Sequence, residues 1–507
     1  MTLKNSAGDE GRHTPSAAAP RGKRAPSPVR RIVVIASALA ILVATLIAPL
    51  PETAPTGASL GFEGRRALAG LAFALTLWIG EALPFHITGL VAMGALAFLK
   101  VAAWPELVMN GFGDESTVFF IGVLVIAAAL SRSGLASRLG GAVLRITGSS
   151  TRAIVFGFLA AGAALAMWIT ALAAAALMLP LARSLLEEEG ERPGESRFGR
   201  SLMMAVAWGP LIGALAAPSG SGSNPVALRF LAEIGGFELG FLDWMAFGVP
   251  TAALLLPVAW LVLMALSPPE RPSLRADAAR STAADGRGLG ERKALSRDEK
   301  AVAVVFLAVI ACWLAAPNLA SILGFKPSIG MVAALGASAL FLPGVTSLKW
   351  KDLEKSMDWA GVLLIATGVS LGTALYRSGA AAWVAGIAFG GIGSLAPFWR
   401  LIAVVAGVLA VKVVFSSNTL TGTIIVPLVL ALGPALGLDM RLAALAAGFT
   451  ANLAVLLVTT SPVNVLPWTT GYFSIKDMAV AGLAFAPAAA LIIAAVLSLV
   501  GPLYGLG

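Results

Sequence analysis

The sequence predicts an all-α, polytopic membrane protein made of two repeated halves, and three observations predict it. Of 507 residues, 58% are hydrophobic and 12% charged, with a mean hydropathy of +0.87. Soluble domains carry about 45–50% apolar and about 25% charged residues, which excludes an ordinary soluble enzyme. Apolar runs near the length of about 20 residues needed to cross lipid recur from end to end. Short polar motifs in the first half return in the same order in the second. The 55 Gly and 29 Pro agree with this class, because small residues let membrane helices approach closely and Pro marks breaks that neighbours re-satisfy.

Taken in order, the chain opens on a basic tail (1–31) holding Lys4, Arg12, Arg21, Lys23, Arg24, Arg30 and Arg31. So long a polar stretch outlasts the charged start of a cleavable signal, and 32–50 reads as an uncleaved first span. Spans are expected near 66–83, 86–104, 115–131, 153–186, 200–217 and 245–266, which completes a first half over 32–267 with its repeat starting at about 66. Residues 268–300 are rich in Ala, Arg, Asp, Gly and Ser with no apolar period, and read as a flexible linker. A second half (301–507) follows, with spans from 300–317, 327–343, 359–376, 397–437, 441–460 and 478–503. Two runs, 153–186 and 397–437, exceed one crossing and carry small polar residues near their middles, so each is expected to be a broken helix or hairpin.

Of the net charge of +9, most sits in the tail and linker, the latter with Arg271, Arg275, Arg280, Arg287, Arg292, Lys293, Arg297 and Lys300. By the positive-inside rule both segments are cytoplasmic, so the charge sets topology beside anionic lipid and does not call for nucleic acid. Cys312 is the only cysteine and His13 and His86 the only histidines, which leaves no disulfide framework, thiolate cluster or histidine metal centre. No G-x-x-x-x-G-K-[ST] is present to drive a pump with ATP.

The internal repeat carries the functional reading. Arg132-Ser133-Gly134 pairs with Arg377-Ser378-Gly379. The polar break at Thr170, before a helix reaching Pro180, pairs with Ser416-Ser417-Asn418-Thr419, before a helix reaching Pro427. Ser221-Gly222-Ser223-Asn224 pairs with Ser461-Pro462-Val463-Asn464, and Asp243 with Gly248 pairs with Asp477 with Gly482. Duplicated halves with discontinuous helices are the build of secondary transporters, whose site lies near the bilayer midplane between the repeats.

A break in a membrane helix exposes backbone groups whose desolvation costs several kcal/mol each, so it must be satisfied by protein, water or a ligand. At Ser417, Asn418 and Thr419 the hydroxyls and amide are placed to meet an anion, together with the free N–H groups and positive dipole end of the following half-helix. Isolated Ser or Thr back-bond to their own helix; a cluster at a break reads as a ligand site. Thr170, Ser221, Asn224, Ser461, Pro462 and Asn464 are expected to line the same cavity. Lys412 and Arg229 stand close to the breaks. Each is either a fixed counter-charge for the anion or a side chain snorkelling to an interface.

These residues resemble the divalent anion:sodium symporter family, over 77–482. Leu77-Trp78-Ile79-Gly80-Glu81-Ala82-Leu83-Pro84 is similar to its early W-x-x-E-A-L-P stretch. Ser116–Leu135 and Trp359–Gly379 resemble its two re-entrant hairpins, Ser417-Asn418-Thr419 its substrate signature, and Ser461-Pro462-Val463-Asn464 its Thr-Pro-Pro-Asn turn. The resemblance implies two inverted repeats, a scaffold plus a transport domain, and a homodimer; a compact chain with no apparent transit peptide or organelle signal is expected in a bacterial plasma membrane. It implies a small anionic substrate such as succinate, citrate or sulfate, and no cofactor beyond sodium as coupling ion, held by Thr170, Gly220, Asn418 and Thr460. The first half departs from the pattern: Met167-Trp168-Ile169 leads into Thr170-Ala171-Leu172 in place of a second Ser-Asn-Thr. Ala166 and Val413 stand where the family often has a hydroxyl, and Ser221-Gly222-Ser223-Asn224 replaces the first turn. Sodium symport, proton coupling and sodium-independent anion exchange therefore stay open, as does an oxyanion or arsenite-type permease of the same broad fold.

Overall fold

The computed structural model describes residues 27–144, 147–274, 294–389 and 391–505. Most basic positions of the tail (Lys4, Arg12, Arg21, Lys23, Arg24), His13 and the linker's Arg275, Arg280, Arg287, Arg292 and Lys293 lie outside them. Helix α1 (Pro28–Ile47) starts where Ser27 Oγ accepts from the Arg30 N–H at 3.3 Å and Pro28 fits the first turn. Ala38 is its one buried residue; with the half-buried Val34, Ile35 and Leu42 it packs on α2 (Phe62–Ile79), while Ile32, Val33, Leu39, Ile41, Val43 and Ile47 are exposed, as on a lipid-facing helix. After α3 (Phe85–Phe98) and the short α4 (Trp104–Phe112), Asp114 caps α5 (Glu115–Ser133), accepting from the Ser116 N–H at 2.8 Å. Helix α5 turns back at Gly134 into α6 (Leu135–Leu144).

The 153–186 run is broken as expected, into α7 (Thr151–Ala166) and α8 (Ala171–Glu188). Helix α9 (Arg197–Ala214) leads through a 3-10 turn, Pro218–Gly220, to α10 (Ser223–Gly235), and α11 (Phe241–Leu266) closes the half. The second half opens with α12 (Arg297–Leu314), α13 (Ala316–Leu323), α14 (Ile329–Ala339) and α15 (Trp350–Leu353). It then repeats the order of the first: a hairpin of α16 (Trp359–Arg377) and α17 (Ala380–Phe389), and a broken helix of α18 (Pro397–Lys412) and α19 (Asn418–Leu436). Next come α20 (Met440–Asn452), a 3-10 turn at Val458–Thr460, α21 (Pro462–Trp468) and the long α22 (Ile475–Val500). The long helices start alike, the Gly240 N–H donating to Asp243 Oδ2 (2.7 Å) and the Ser474 N–H to Asp477 Oδ2 (2.8 Å).

Among the described residues five helices are long and apolar enough to cross a membrane: α1, α5, α11, α16 and α22, the last continuing to Tyr504. Helices α5 and α16 are mostly enclosed by protein, whereas α1 and α11 keep most of their surface outward, which separates interior from lipid-facing spans. The halves interlock. First-half α10 packs on second-half α19 and α20, and second-half α21 packs on first-half α8 and α9.

The 441–460 run is not one helix. It unwinds after Asn452 because Asn464 Nδ2 takes the carbonyls of Ala454 (2.5 Å) and Leu457 (3.2 Å) out of the helical ladder. Helices α4, α10 and α21 were not expected as spans; α10 has 13 residues including Arg229 and Glu233, and α21 has seven. Within the segment read as linker, the Thr151 N–H donates to Pro272 O (3.1 Å) and the Leu274 N–H to Ser149 O (2.9 Å), while 297–300 form the first turn of α12.

Candidate functional site at four helix breaks

The first pair of breaks interrupts α7–α8 and α18–α19. Thr170 caps α8, its Oγ1 accepting from the Ala173 N–H at 3.3 Å, and Ser219 Oγ donates to the Met167 carbonyl at the end of α7 at 2.7 Å. In the second half Ser417 Oγ accepts from the Leu420 N–H at 3.3 Å. A hydroxyl both donates and accepts, so the Ser417 O–H stays available to an incoming acceptor. The Thr421 and Thr423 hydroxyls turn back onto the Ser417 and Thr419 carbonyls, at 2.8 Å each. Ser416 to Thr419 are half-buried, and Asn418 Oδ1, out of contact with solvent, has no hydrogen-bond partner.

The second pair follows α9 and α20, and here two asparagines do the same work. Asn224 Nδ2 donates to the carbonyls of Ala214 (2.8 Å) and Ala217 (2.7 Å), ten and seven residues back. Asn464 Nδ2 does so to Ala454 and Leu457, at the same two separations. Each amide thus stands in for the missing helical donors of its unwound strand. Their oxygens differ: Asn224 Oδ1 accepts from Asn452 Nδ2 at 2.7 Å, and Asn464 Oδ1 has no partner. Ser223 Oγ donates to Asn452 Oδ1 (3.0 Å) and lies 3.2 Å from Ser221 Oγ, so Ser221, Ser223, Asn224 and Asn452 form one buried network across the halves. Asn452 belongs to none of the paired motifs; its signal in the sequence is a lone Asn within the apolar 441–460 run, nine residues before Ser461.

Contacts join all four breaks. Ser219 ties the α9–α10 break to the α7–α8 break. A Cβ at Gly222 would lie 2.5 Å from Thr419 Oγ1, so the absence of a side chain there lets the α9–α10 break meet the α18–α19 break. Lys412, the last residue of α18 and 2% exposed, sends Nζ to the carbonyls of Phe415 (3.3 Å) and Thr460 (2.9 Å), joining the α18–α19 and α20–α21 breaks. Thr460 Oγ1 itself donates to Leu457 O at 2.7 Å. A Cβ at Gly220 would sit 2.8 Å from the Ala166 carbonyl, so that turn presses on the end of α7. Ser461 is buried and caps α21, accepting from the Val463 N–H at 3.3 Å, while Pro462 fills the first turn and is exposed.

Arg229 is not free to serve as a counter-charge. Its guanidinium pairs with the buried Asp114 carboxylate and with Glu233 (3.2 Å); Glu233 also takes Arg377 (3.1 Å) and the Thr373 hydroxyl (3.0 Å), and Arg377 reaches Glu106 (2.9 Å). This chain of charges fastens α10 to the start of α5 and to the far end of α16.

The family model for the sodium:sulfate symporter transmembrane region matches residues 30–506. The chain belongs to this family. The chain is similar to sodium-dependent dicarboxylate transporters SdcS: that of Staphylococcus aureus (strain USA300) is 26% identical over 438 residues, covering 83% of each chain. That of Staphylococcus saprophyticus is 27% identical over 447 residues, covering 84% of this chain and 83% of the relative. Among solved structures, the YdaH transporter of Alcanivorax borkumensis superimposes with a TM-score of 0.56 at 16% identity, over 94% of this chain and 99% of that one, a likeness of fold. The protein is accordingly a multi-pass membrane transporter, not an enzyme, and the expected all-α polytopic class and the expected family are those found.

Proposed function

We propose that the protein is a secondary carrier that moves a small dianion, a dicarboxylate such as succinate, across a bacterial plasma membrane. The observation that carries this is the half-buried Ser417-Asn418-Thr419 cluster at the α18–α19 break, where Ser417 Oγ accepts from the Leu420 N–H and keeps its own O–H to donate. The sodium-dependent dicarboxylate relatives support the substrate class. In this reading Ser417, Asn418 and Thr419 bind one carboxylate, Thr170 faces the other end, and the amides of Asn224 and Asn464 hold open the strands that complete the cavity. Ser221, Ser461 and Pro462 form its walls, and sodium, where it couples, sits at the first-half break beside Thr170 and Gly220. The halves are inverted repeats. A transport domain carrying hairpins and breaks moves as an elevator against a scaffold in a homodimer, and the tail and 268–300 face the cytoplasm.

One observation favours a second reading. In the first half Ala171 and Leu172 replace polar donors, and the Thr170 Oγ1 already caps α8. A site with one polar end suits a compact oxyanion such as sulfate. Uptake of labelled succinate and labelled sulfate into proteoliposomes, empty or preloaded, with and without an inward sodium gradient, separates the two. Saturable succinate uptake competed by unlabelled succinate is expected; sulfate uptake alone would favour the oxyanion reading, and flux of neither would reject both.

A further inference from the structure

Lys412 is a full-length ammonium with no solvent and, among the described residues, no carboxylate partner. An ammonium stripped of water is expensive unless something replaces its hydration. What replaces it here is backbone: the Phe415 carbonyl in the unwound strand after α18, the Thr460 carbonyl at the end of the second-half 3-10 turn, and the negative dipole end of α18 that Lys412 terminates. Unwound carbonyls and half-helix C-terminal ends are the groups with which broken-helix carriers coordinate a coupling cation. The cage is therefore built and already filled, from a side chain.

We infer that the Lys412 ammonium is a tethered cation that takes the place of a sodium ion at the second-half break, so that no sodium ion is bound or moved there. An ammonium has three donors and two are used, which leaves one N–H and the uncompensated positive charge for a substrate anion held at Ser417 to Thr419, five to seven residues along the chain. The inference rests on the carrier reading for its consequence, but the cage is testable without it.

The experiment compares wild type, Lys412→Ala and Lys412→Met, each purified as monodisperse protein and reconstituted. Wild-type uptake of succinate should be no more than hyperbolic in sodium and persist when choline replaces it. Lys412→Ala should lose at least about thirtyfold in choline, the scale of loss when one member of a desolvated charge contact is removed, and recover in part when methylammonium or high sodium refills the vacated cage. Lys412→Met, of similar length and neutral, should be equally impaired and not recover. A sigmoidal sodium requirement in wild type, or normal uptake by Lys412→Ala in choline, would overturn the assignment. If wild type carries no succinate the carrier reading falls separately, and thermal unfolding then decides: methylammonium should raise the Tm of detergent-purified Lys412→Ala and leave wild type unmoved, and no difference between them removes the tethered cation.

Discussion

Asn224 shows how one side chain sets local architecture. Its amide satisfies two carbonyls that a continuous helix would have satisfied itself, and its oxygen is taken by Asn452. Truncation to Ala strands these partners in a buried place, and each unpaired buried group costs about 1–3 kcal/mol. Asn224→Ala should therefore lower stability by at least about 2 kcal/mol on that scale, read as a clear fall in Tm of the detergent-purified protein with loss of uptake; an unchanged Tm would mean that water serves equally well. Much of this was legible, because Asn, Ser and Gly inside an otherwise apolar run have no helical reason to be there. Ser417-Asn418-Thr419 stood out for the same cause. The partners did not stand out: nothing local in Ser219, Asp114 or Asn452 says which carbonyl, guanidinium or amide the fold will bring to it, and Arg229 read as an available charge until Asp114 and Glu233 closed around it.

Among the elements, helices were legible in proportion to their apolar length. Helices α1, α11 and α22 were found within a few residues, and the two breaks fell where polar residues interrupted overlong runs. Helices α10 and α21 were not, since their stability comes from packing into the opposite half rather than from a span-length apolar pattern. Helix starts are also guarded at a distance. Glu270 accepts from the Arg197 and Phe198 N–H groups (2.5 and 3.1 Å) at the beginning of α9, where the helix dipole favours an anion. Burial pushes its carboxyl up, but these N–H bonds and the Arg197 charge outweigh that and hold it below the usual carboxylate range. A depressed carboxylate stabilises above its unfolded value, about 4.3 for Glu, and the contribution is lost as pH falls through the lower folded value. Glu270→Gln should thus melt earlier than wild type at pH 7, with the gap closing below about pH 4; a gap independent of pH would assign the loss to packing.

At the scale of the molecule, the ordered motifs disclosed two halves but not their interlocking. Because α10 is held by α19 and α20, and α21 by α8 and α9, neither half can bury its own broken segments. A chain cut within 275–293 should assemble and transport when both pieces are co-expressed, and each piece alone should be degraded or aggregate; a monodisperse single half would contradict the interlock. The two matched asparagines add a last point. They were laid out identically, yet Asn452 stops up the oxygen of one and leaves the other's open. The two matched positions thus differ in use: one asparagine is a strut and the other keeps its oxygen unpaired. For anyone re-engineering this scaffold, rewriting the second-half break should retune what is recognised, while rewriting the first should chiefly change how firmly the molecule holds together.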